Sequence, residues 1–197
     1  MSDTLMYPLR FEPIYQYRLW GGRRLANLLS VPLPGDGPIG EAWILSDRDD
    51  HQSPVSNGPL KGRNIGQVLE QFPEQTLGKL ASRFHRFPLL LKFLDAHEML
   101  SVQVHPTVAN ADLLPAGETA KTEAWVVLEA GPKSRIYAGL KPGTTADDCG
   151  KSSRTVGWRT TSPASLRSRA TASSYRLGLF MLWVAAWWCS RFNRIAT

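Results

Sequence analysis

Residues 100–106 of this chain read LSVQVHP, an alternation of apolar and polar residues that predicts a β-strand. Because successive side chains of a strand point to opposite faces, Ser101, Gln103 and His105 share one face and the two valines occupy the other. The valine face suits a hydrophobic core. The other face carries an amide oxygen and an imidazole, which are both potential ligands of a metal ion.

A second polar strand is predicted where residues 121–125 read KTEAW. The same alternation places Lys121, Glu123 and Trp125 on one face. The Glu123 carboxylate could then join the amide and the imidazole of the first strand around one divalent ion. Zinc suits this set, because it binds His nitrogen and carboxylate oxygen and keeps a position open in catalytic sites. Taken alone, a Gln-x-His beside a proline is more often structural than a ligand pair.

Three further segments accompany these two: RLWGG at residues 18–22, GEAWILSD at residues 40–47 and PLLLKFLDA at residues 88–96. In order and spacing, the five segments resemble the type I mannose-6-phosphate isomerases, zinc enzymes of the cupin class. The resemblance runs from residue 9 to about residue 148. It implies a mainly β fold, a cupin-type jelly-roll barrel with a few short helices, which would be incomplete at the C-terminus.

The resemblance also implies a reaction, the interconversion of mannose 6-phosphate and fructose 6-phosphate. This aldose–ketose isomerisation moves a proton between neighbouring sugar carbons through an enediol, so the site must shuttle protons and stabilise negative charge on oxygen. One zinc ion per chain would be held by Gln103, His105 and Glu123, which match three of the family's four ligands. Lys121 and Ser101 match catalytic positions, where the lysine charge suits a phosphate or a developing oxyanion; their alternative is to be solvated strand residues.

Three more residues match substrate-pocket positions of the family: Trp20, Glu41 and Lys92. Two of them have plainer alternatives. An aromatic residue beside two glycines is as often part of a core. Lys92, in an otherwise apolar run, could instead form a buried ion pair with Asp95 or another acid.

The basic character of the chain belongs to its last quarter. The whole sequence has a net charge of +6, yet residues 149–197 hold eight Lys or Arg and no acidic residue, and residues 1–148 have a net charge of −2. The body therefore lacks the basic balance of a nucleic-acid-binding protein, and we expect no such partner. Both cysteines also lie in residues 149–197, so the body has no disulfide framework, which fits a reducing cytoplasm.

Neither a secretion signal nor a membrane span is expected. The N-terminus has no basic start followed by an apolar run. The most apolar stretch, at residues 177–188, has twelve residues, and a bilayer crossing needs about 20. We therefore expect a cytoplasmic monomer that acts on a phosphosugar and has no membrane partner.

Periodicity predicts helices early in the body and strands later. Leu25, Leu28 and Leu29 have helical spacing, and Asn64 can cap a second helix that Pro73 ends. Residues 76–84 suggest a further helical piece. Strands are expected over residues 40–47, 89–94, 100–104, 124–129 and 134–139.

Residues 149–197 do not continue the resemblance. No histidine follows His105, so the fourth ligand is missing, and nothing matches the family's substrate-handling arginine. A change of reading frame accounts for both. Residues 174–183, SYRLGLFMLW, can be encoded as TCG TAC CGG CTG GGA CTG TTC ATG CTT TGG, and joining each third base to the next two gives VPAGTVHAL, the family's fourth-ligand motif. The histidine codon would straddle Phe180 and Met181.

We therefore divide the chain at about residue 148, where we place the frameshift. Residues 1–148 are a partial catalytic domain, and residues 149–197 are a non-homologous tail that we expect to be poorly ordered. Activity should then be impaired, because each lost ligand weakens a metal site. The alternatives to an isomerase are a non-catalytic sugar-phosphate-binding cupin and a nonfunctional fragment; the alternative to a frameshift is a genuinely divergent tail.

The coding DNA tests the frameshift directly. The codons of residues 149–197 should all be compatible with a continuous family-like sequence when read in the shifted frame. Sequencing of the genomic locus measures this. A stop codon or several incompatible codons in the shifted frame would contradict the hypothesis and favour a divergent tail.

Overall fold

The computed structural model of the chain describes residues 7–100, 103–104, 122–132, 134–140, 158–161, 172–176 and 179–186. Within these ranges the chain is mainly β, with three short α-helices and one 3₁₀-helix. The mainly β fold with few short helices that the sequence predicts is therefore confirmed.

Among the described residues, all helices lie before residue 81 and only strands follow. The described strands are β1 (Ile14–Gly22), β2 (Ile39–Leu45), β3 (Asp47–Arg48), β4 (His51–Gln52), β5 (Leu89–Ala96), β6 (Gln103–Val104), β7 (Thr122–Ala130), β8 (Arg135–Leu140), β9 (Trp158–Thr161), β10 (Ala172–Arg176) and β11 (Leu179–Ala186). The helices are α1 (Leu25–Leu29), α2 (Ile65–Gln71), α3 (Pro73–Leu77) and the 3₁₀-helix (Gly78–Leu80).

Two antiparallel sheets and a hairpin organise these strands. The larger sheet has the order β1-β2-β5-β11-β7, the second has the order β6-β10-β8-β9, and β3 pairs with β4. Ile136 of β8 is buried in one cluster with Leu90 and Leu94 of β5. The two sheets therefore face each other across a hydrophobic core.

Strand β5 lies in the middle of the larger sheet and is covered on both faces. Leu90 and Leu94 point into the core between the sheets, whereas Phe93 packs on the other face against the cluster that contains Leu25 of α1. A strand covered on both faces needs apolar residues at odd and even positions. This explains why β5 is a nearly continuous apolar run in which Lys92 is the exception.

The two helices predicted before residue 73 are present. Leu25 of α1 is fully buried, and the helix ends at Ser30, whose φ of 55° is left-handed. At the start of α2, the Asn64 side chain accepts a hydrogen bond from the Gln67 backbone N–H, and the Gln67 side chain accepts one from the Asn64 backbone N–H. This capping box satisfies two donors that a helix N-terminus otherwise leaves without partners.

The third helical prediction is only partly right. Pro73 does follow α2, but it also occupies the first turn of α3, where its missing N–H costs nothing. The helix then ends at Leu77, because Gly78 has a φ of 56°, and only a short 3₁₀-helix follows. The predicted helix over residues 76–84 therefore begins earlier and is shorter than the sequence suggests.

Strand positions agree well with the sequence analysis, and the ends differ. The strand expected at residues 89–94 extends to Ala96, and the one expected at residues 124–129 covers Thr122–Ala130. Of residues 100–104, Gln103 and Val104 are in a strand, Leu100 is in a loop and residues 101–102 lie outside the described residues. Among the described residues, no helix has the length and apolar character that a bilayer crossing requires.

The capping box makes a stability prediction. Asn64→Ala removes the acceptor for the Gln67 N–H and should lower the free energy of unfolding by about 1 kcal/mol, which is a fall of roughly 2–4 °C in Tm for a chain of this size. Asn64→Ser keeps a capping oxygen and should stay close to wild type. Urea unfolding followed by circular dichroism measures both. Equal losses in the two variants would contradict the capping interpretation and implicate the backbone bridge between Asn64 and Pro54.

Candidate functional site

A buried ion pair lies on the inward face of the larger sheet. The register of β2 against β5 pairs Trp43 with Lys92 and Glu41 with Leu94. The Lys92 Nζ donates a hydrogen bond of 2.8 Å to the Glu41 Oε1, and both residues are 5% exposed. The same ammonium lies 5.8 Å from the centre of the Trp43 ring. Lys92 therefore forms a buried ion pair, which is the alternative to a pocket role that the sequence left open.

The sequence left the partner of Lys92 open as Asp95 or another acid, and the structure shows that it is Glu41. Asp95 is buried on the opposite face of β5, where its Oδ2 accepts a 2.7 Å hydrogen bond from the Arg24 backbone N–H. Burial raises the pKa of Asp95, and the hydrogen bond from Arg24 opposes this only in part. Lys92 and Asp95 are three positions apart, and in a strand this spacing points two side chains to opposite faces.

Both carboxylate oxygens of Glu41 are engaged by side chains of this chain. In addition to Lys92, the Trp43 Nε1–H donates a hydrogen bond of 2.8 Å to Oε2, and the Arg18 Nη2 donates one of 3.2 Å to the same oxygen. Burial tends to raise the pKa of Glu41, but the Lys92 charge and these hydrogen bonds outweigh it, so the pKa is lowered. Glu41 is therefore an anion at neutral pH that is held between two cations.

Trp20 is positioned by its backbone and by close packing. Its carbonyl oxygen accepts hydrogen bonds of 3.0 Å from the backbone N–H groups of His97 and Glu98. Its ring packs against the core between the sheets, and a Cβ on Gly40 would come within 2.6 Å of that ring. Only glycine fits at position 40. Trp20 therefore packs in the core, as the alternative to a pocket role predicts. It does so on the face of the sheet that carries the ion pair.

Glu123 lies on the inward face of β7 and is 8% exposed. Its alternate neighbours Trp125 and Val127 pack against the core between the sheets, whereas Val126 is 55% exposed. Lys92 and Trp125 both pair with the same residue of β11, Trp183. Two strand spacings, or about 10 Å, therefore separate the backbone of Lys92 from that of Trp125. Glu123 lies two positions before Trp125 on the same face of β7.

The remaining predicted residues are described less completely. Gln103 pairs with Ser173, which pairs in turn with Ala138 of β8, so its backbone belongs to the second sheet. Its side chain and the residues Ser101, His105 and Lys121 lie outside the described residues. Within the part of the chain that is described, no three His, Cys, Asp or Glu residues form a metal-sized cluster.

The donor chemistry nevertheless suits a borderline metal ion. Glu123 offers a buried carboxylate oxygen on the inward face, where nearby apolar surface would exclude water. A carboxylate, an amide and an imidazole are ligands that zinc and related cations accept. The predicted ligand set therefore remains chemically coherent around the one side chain of the set that is described.

Two members of this site were missed by the sequence analysis as functional residues, Arg18 and Trp43. Trp43 shares a predicted strand face with Glu41, which could have identified it. Arg18 lies two positions before Trp20, and this alternation was the available signal. Both contact the Glu41 carboxylate, but the contact of Arg18 joins two strands and cannot be read from local sequence.

Comparison with known proteins covers both the sequence and the fold. The family model for the catalytic domain of phosphomannose isomerase type I matches residues 9–125. The probable mannose-6-phosphate isomerase GmuF of Bacillus subtilis is 37% identical over 135 residues, 68% of this chain and 42% of that protein. The mannose-6-phosphate isomerase of Streptococcus mutans is 37% identical over 132 residues, 67% of this chain and 40% of that protein. The chain thus spans about two fifths of the length of these relatives.

Solved structures support the same fold. The crystal structure of the mannose 6-phosphate isomerase from Bacillus subtilis matches with a TM-score of 0.76 and 24% identity, over 91% of this chain and 58% of that one. A putative mannosephosphate isomerase from Archaeoglobus fulgidus matches with a TM-score of 0.71 and 23% identity, over 94% of this chain and 64% of that one. Since the family model covers more than half of the residues, the chain belongs to the phosphomannose isomerase type I family.

Proposed function

We propose that this chain carries the catalytic-domain part of a zinc-dependent isomerase that interconverts mannose 6-phosphate and fructose 6-phosphate. The observation that carries the proposal is the buried pair of Lys92 and Glu41, on the inward face that also holds Glu123. Burying charges costs desolvation free energy that an apolar core avoids. A charged interior inside the region of family similarity is therefore better explained by a reaction than by stability.

In this proposal Gln103, His105 and Glu123 hold one zinc ion. Glu123 supports the assignment because it is a buried oxygen donor of a kind that zinc binds. Gln103 belongs to the sheet that faces the sheet of Glu123 across the core. When bound, zinc would polarise the substrate oxygens and keep the open-chain sugar in register.

Lys92 supplies positive charge inside the pocket. Its ammonium can stabilise negative charge that develops on a sugar oxygen during enediol formation, and this effect is larger where water is excluded. Glu41 holds the Nζ at 2.8 Å and thereby fixes its position. Trp43 packs against the core near this charge, and we propose that its ring limits the access of water.

Lys121 and Ser101 are proposed to act on the substrate directly. The alternation of the sequence predicts that Lys121 shares a face with Glu123 and that Ser101 shares one with Gln103. A lysine ammonium suits the phosphate group or a developing oxyanion, and a serine hydroxyl can both donate and accept a proton in a hydrogen bond. Trp20 would form a wall of the pocket.

A second candidate function is sugar-phosphate binding without turnover. One observation favours it, namely that no histidine follows His105 in the 197-residue sequence to serve as the family's fourth ligand. For the chain as it stands we therefore propose weak zinc affinity and impaired isomerase activity. The frameshift near residue 148 remains our explanation for the missing ligand.

Zinc binding tests the metal assignment without reference to turnover. The purified chain should bind zinc weakly, and Glu123→Gln should weaken the remaining affinity by at least about tenfold, which is the lower bound for losing even an outer-shell partner. Competition with a chromogenic chelator measures the affinity. The matched control is Glu129→Gln, which changes the same charge on the same strand at a side chain that is 66% exposed. Equal affinities in the two variants would count against Glu123 as a zinc ligand. Turnover with stoichiometric zinc in the unmodified chain would instead contradict the proposed impairment and not the metal assignment.

The ion pair makes a prediction about stability and pH. Lys92→Met leaves the buried Glu41 carboxylate without its ammonium, which should cost about 3–5 kcal/mol of unfolding free energy at neutral pH. In the wild type, the lowered pKa of Glu41 stabilises the fold above the ordinary glutamate pKa, and this is lost as the pH falls through the folded-state value. In the variant, burial should raise the pKa of Glu41, so protonation should relieve the defect and the gap to wild type should narrow on acidification.

Urea unfolding between about pH 4 and pH 7 measures this gap across the range in which a carboxyl group titrates. Lys61→Met is the matched control, because Lys61 is exposed and its loss should leave stability nearly unchanged at every pH. A stability gap for Lys92→Met that does not vary with pH would show that the Glu41 carboxylate is not the group left without compensation.

A further inference from the structure

Arg18 lies on the inward face of β1, although its strand is at the edge of the larger sheet. A Cβ on Gly40 would come within 2.7 Å of the Arg18 Cβ and 2.6 Å of the Trp20 ring, so these two side chains flank one glycine of β2. Trp20 packs against the core between the sheets. The residues between and before them, Leu19 and Tyr17, are 78% and 56% exposed on the other face. Arg18 therefore faces the same side as the buried ion pair.

The Arg18 guanidinium is held in a fixed orientation. Its Nη2 donates to the Glu41 Oε2 at 3.2 Å, and its Nη1 donates to the Tyr17 carbonyl oxygen at 3.1 Å. These two bonds to described residues use two of the five N–H donors that a guanidinium carries. A planar group with a fixed fork and further donors is well suited to an incoming anion, because little side-chain entropy remains to be lost.

Exposure increases from the buried ion pair to Arg18. The side chains of Glu41 and Lys92 are 6% and 7% exposed, and that of Arg18 is 37% exposed. The two cations share one carboxylate, so the trio has an excess positive charge. Its outermost member is the arginine, which an anion arriving from solvent would meet first.

We propose that Arg18 is a specificity-determining residue that binds the phosphate group of the sugar phosphate at the rim of the pocket. Arginine recognises phosphate through two parallel N–H···O bonds, which lysine cannot reproduce. Glu41 orients the guanidinium from the interior side and leaves its outer edge to the ligand. The identity of the sugar rests on the proposed function, whereas the recognition of a phosphate group does not.

Binding measurements on the full chain test the assignment. Isothermal titration would give the affinities of wild type, Arg18→Gln and Arg18→Lys for fructose 6-phosphate, for inorganic phosphate and for unphosphorylated fructose. Arg18→Gln should weaken binding of both phosphate ligands by roughly tenfold, the loss of one charge-assisted contact, with no change for fructose. Arg18→Lys keeps the charge and should lose less phosphate affinity than Arg18→Gln. This variant also tests the proposal if Arg18→Gln folds poorly.

Arg86→Gln is the matched control, because it removes the same charge from a residue that is 59% exposed and is paired with Asp49 instead of Glu41. Its affinities should equal those of wild type. The wild type could bind inorganic phosphate and not fructose 6-phosphate, with the phosphate binding lost in Arg18→Gln. This result would support the anion site and overturn the proposed sugar. Undiminished phosphate binding in Arg18→Gln, or no phosphate binding by the wild type, would overturn the assignment of Arg18.

Discussion

The interior of the larger sheet depends on the ion pair between Lys92 and Glu41. Two charges that are each 5% exposed are tolerated only if they satisfy each other, because an isolated buried charge is strongly destabilising. The pairing of β2 with β5 supplies that geometry by placing Trp43 opposite Lys92. A slip of one residue in either strand would turn its charged side chain toward the apolar cluster under α1. We infer that the pair specifies the register of these two strands, at a cost in desolvation.

The opposite face of β5 fixes the segment that carries Trp20. Asp95 accepts a hydrogen bond from the N–H of Arg24, the residue before α1, and a Cβ on Gly22 would come within 2.5 Å of the Asp95 Oδ2. The backbone after Asp95 then donates two hydrogen bonds to the Trp20 carbonyl oxygen. One strand therefore places Lys92 on its inward face, while its other face and the residues that follow it fix the backbone around Trp20.

Local sequence patterns predicted the features that depend on interactions between residues close together in the chain. The cap at Asn64 and the strand around Lys92 follow from side-chain chemistry and period over a few residues. The partner of Lys92 did not follow, because Glu41 is 51 positions away and strand order cannot be read from either segment. Arg18 was missed because an arginine in a strand is ordinarily solvated, and because its partner Glu41 lies on another strand. The predicted zinc ligands came from strand alternation together with family resemblance, and of their side chains only that of Glu123 is described.

The charges of the described residues indicate what net charge the site would have with and without a metal ion. Glu41 and Glu123 are offset by Lys92 and Arg18, so these four side chains sum to zero. A divalent cation held by Glu123 would leave a net charge of about +2, close to the charge of roughly −1.5 to −2 that a phosphate monoester carries at neutral pH. Without the metal, the neutral group would attract a phosphosugar less strongly, and Arg18 would be its main outward-facing cation. Substrate and metal should therefore bind with positive coupling, since each supplies the charge that the other lacks.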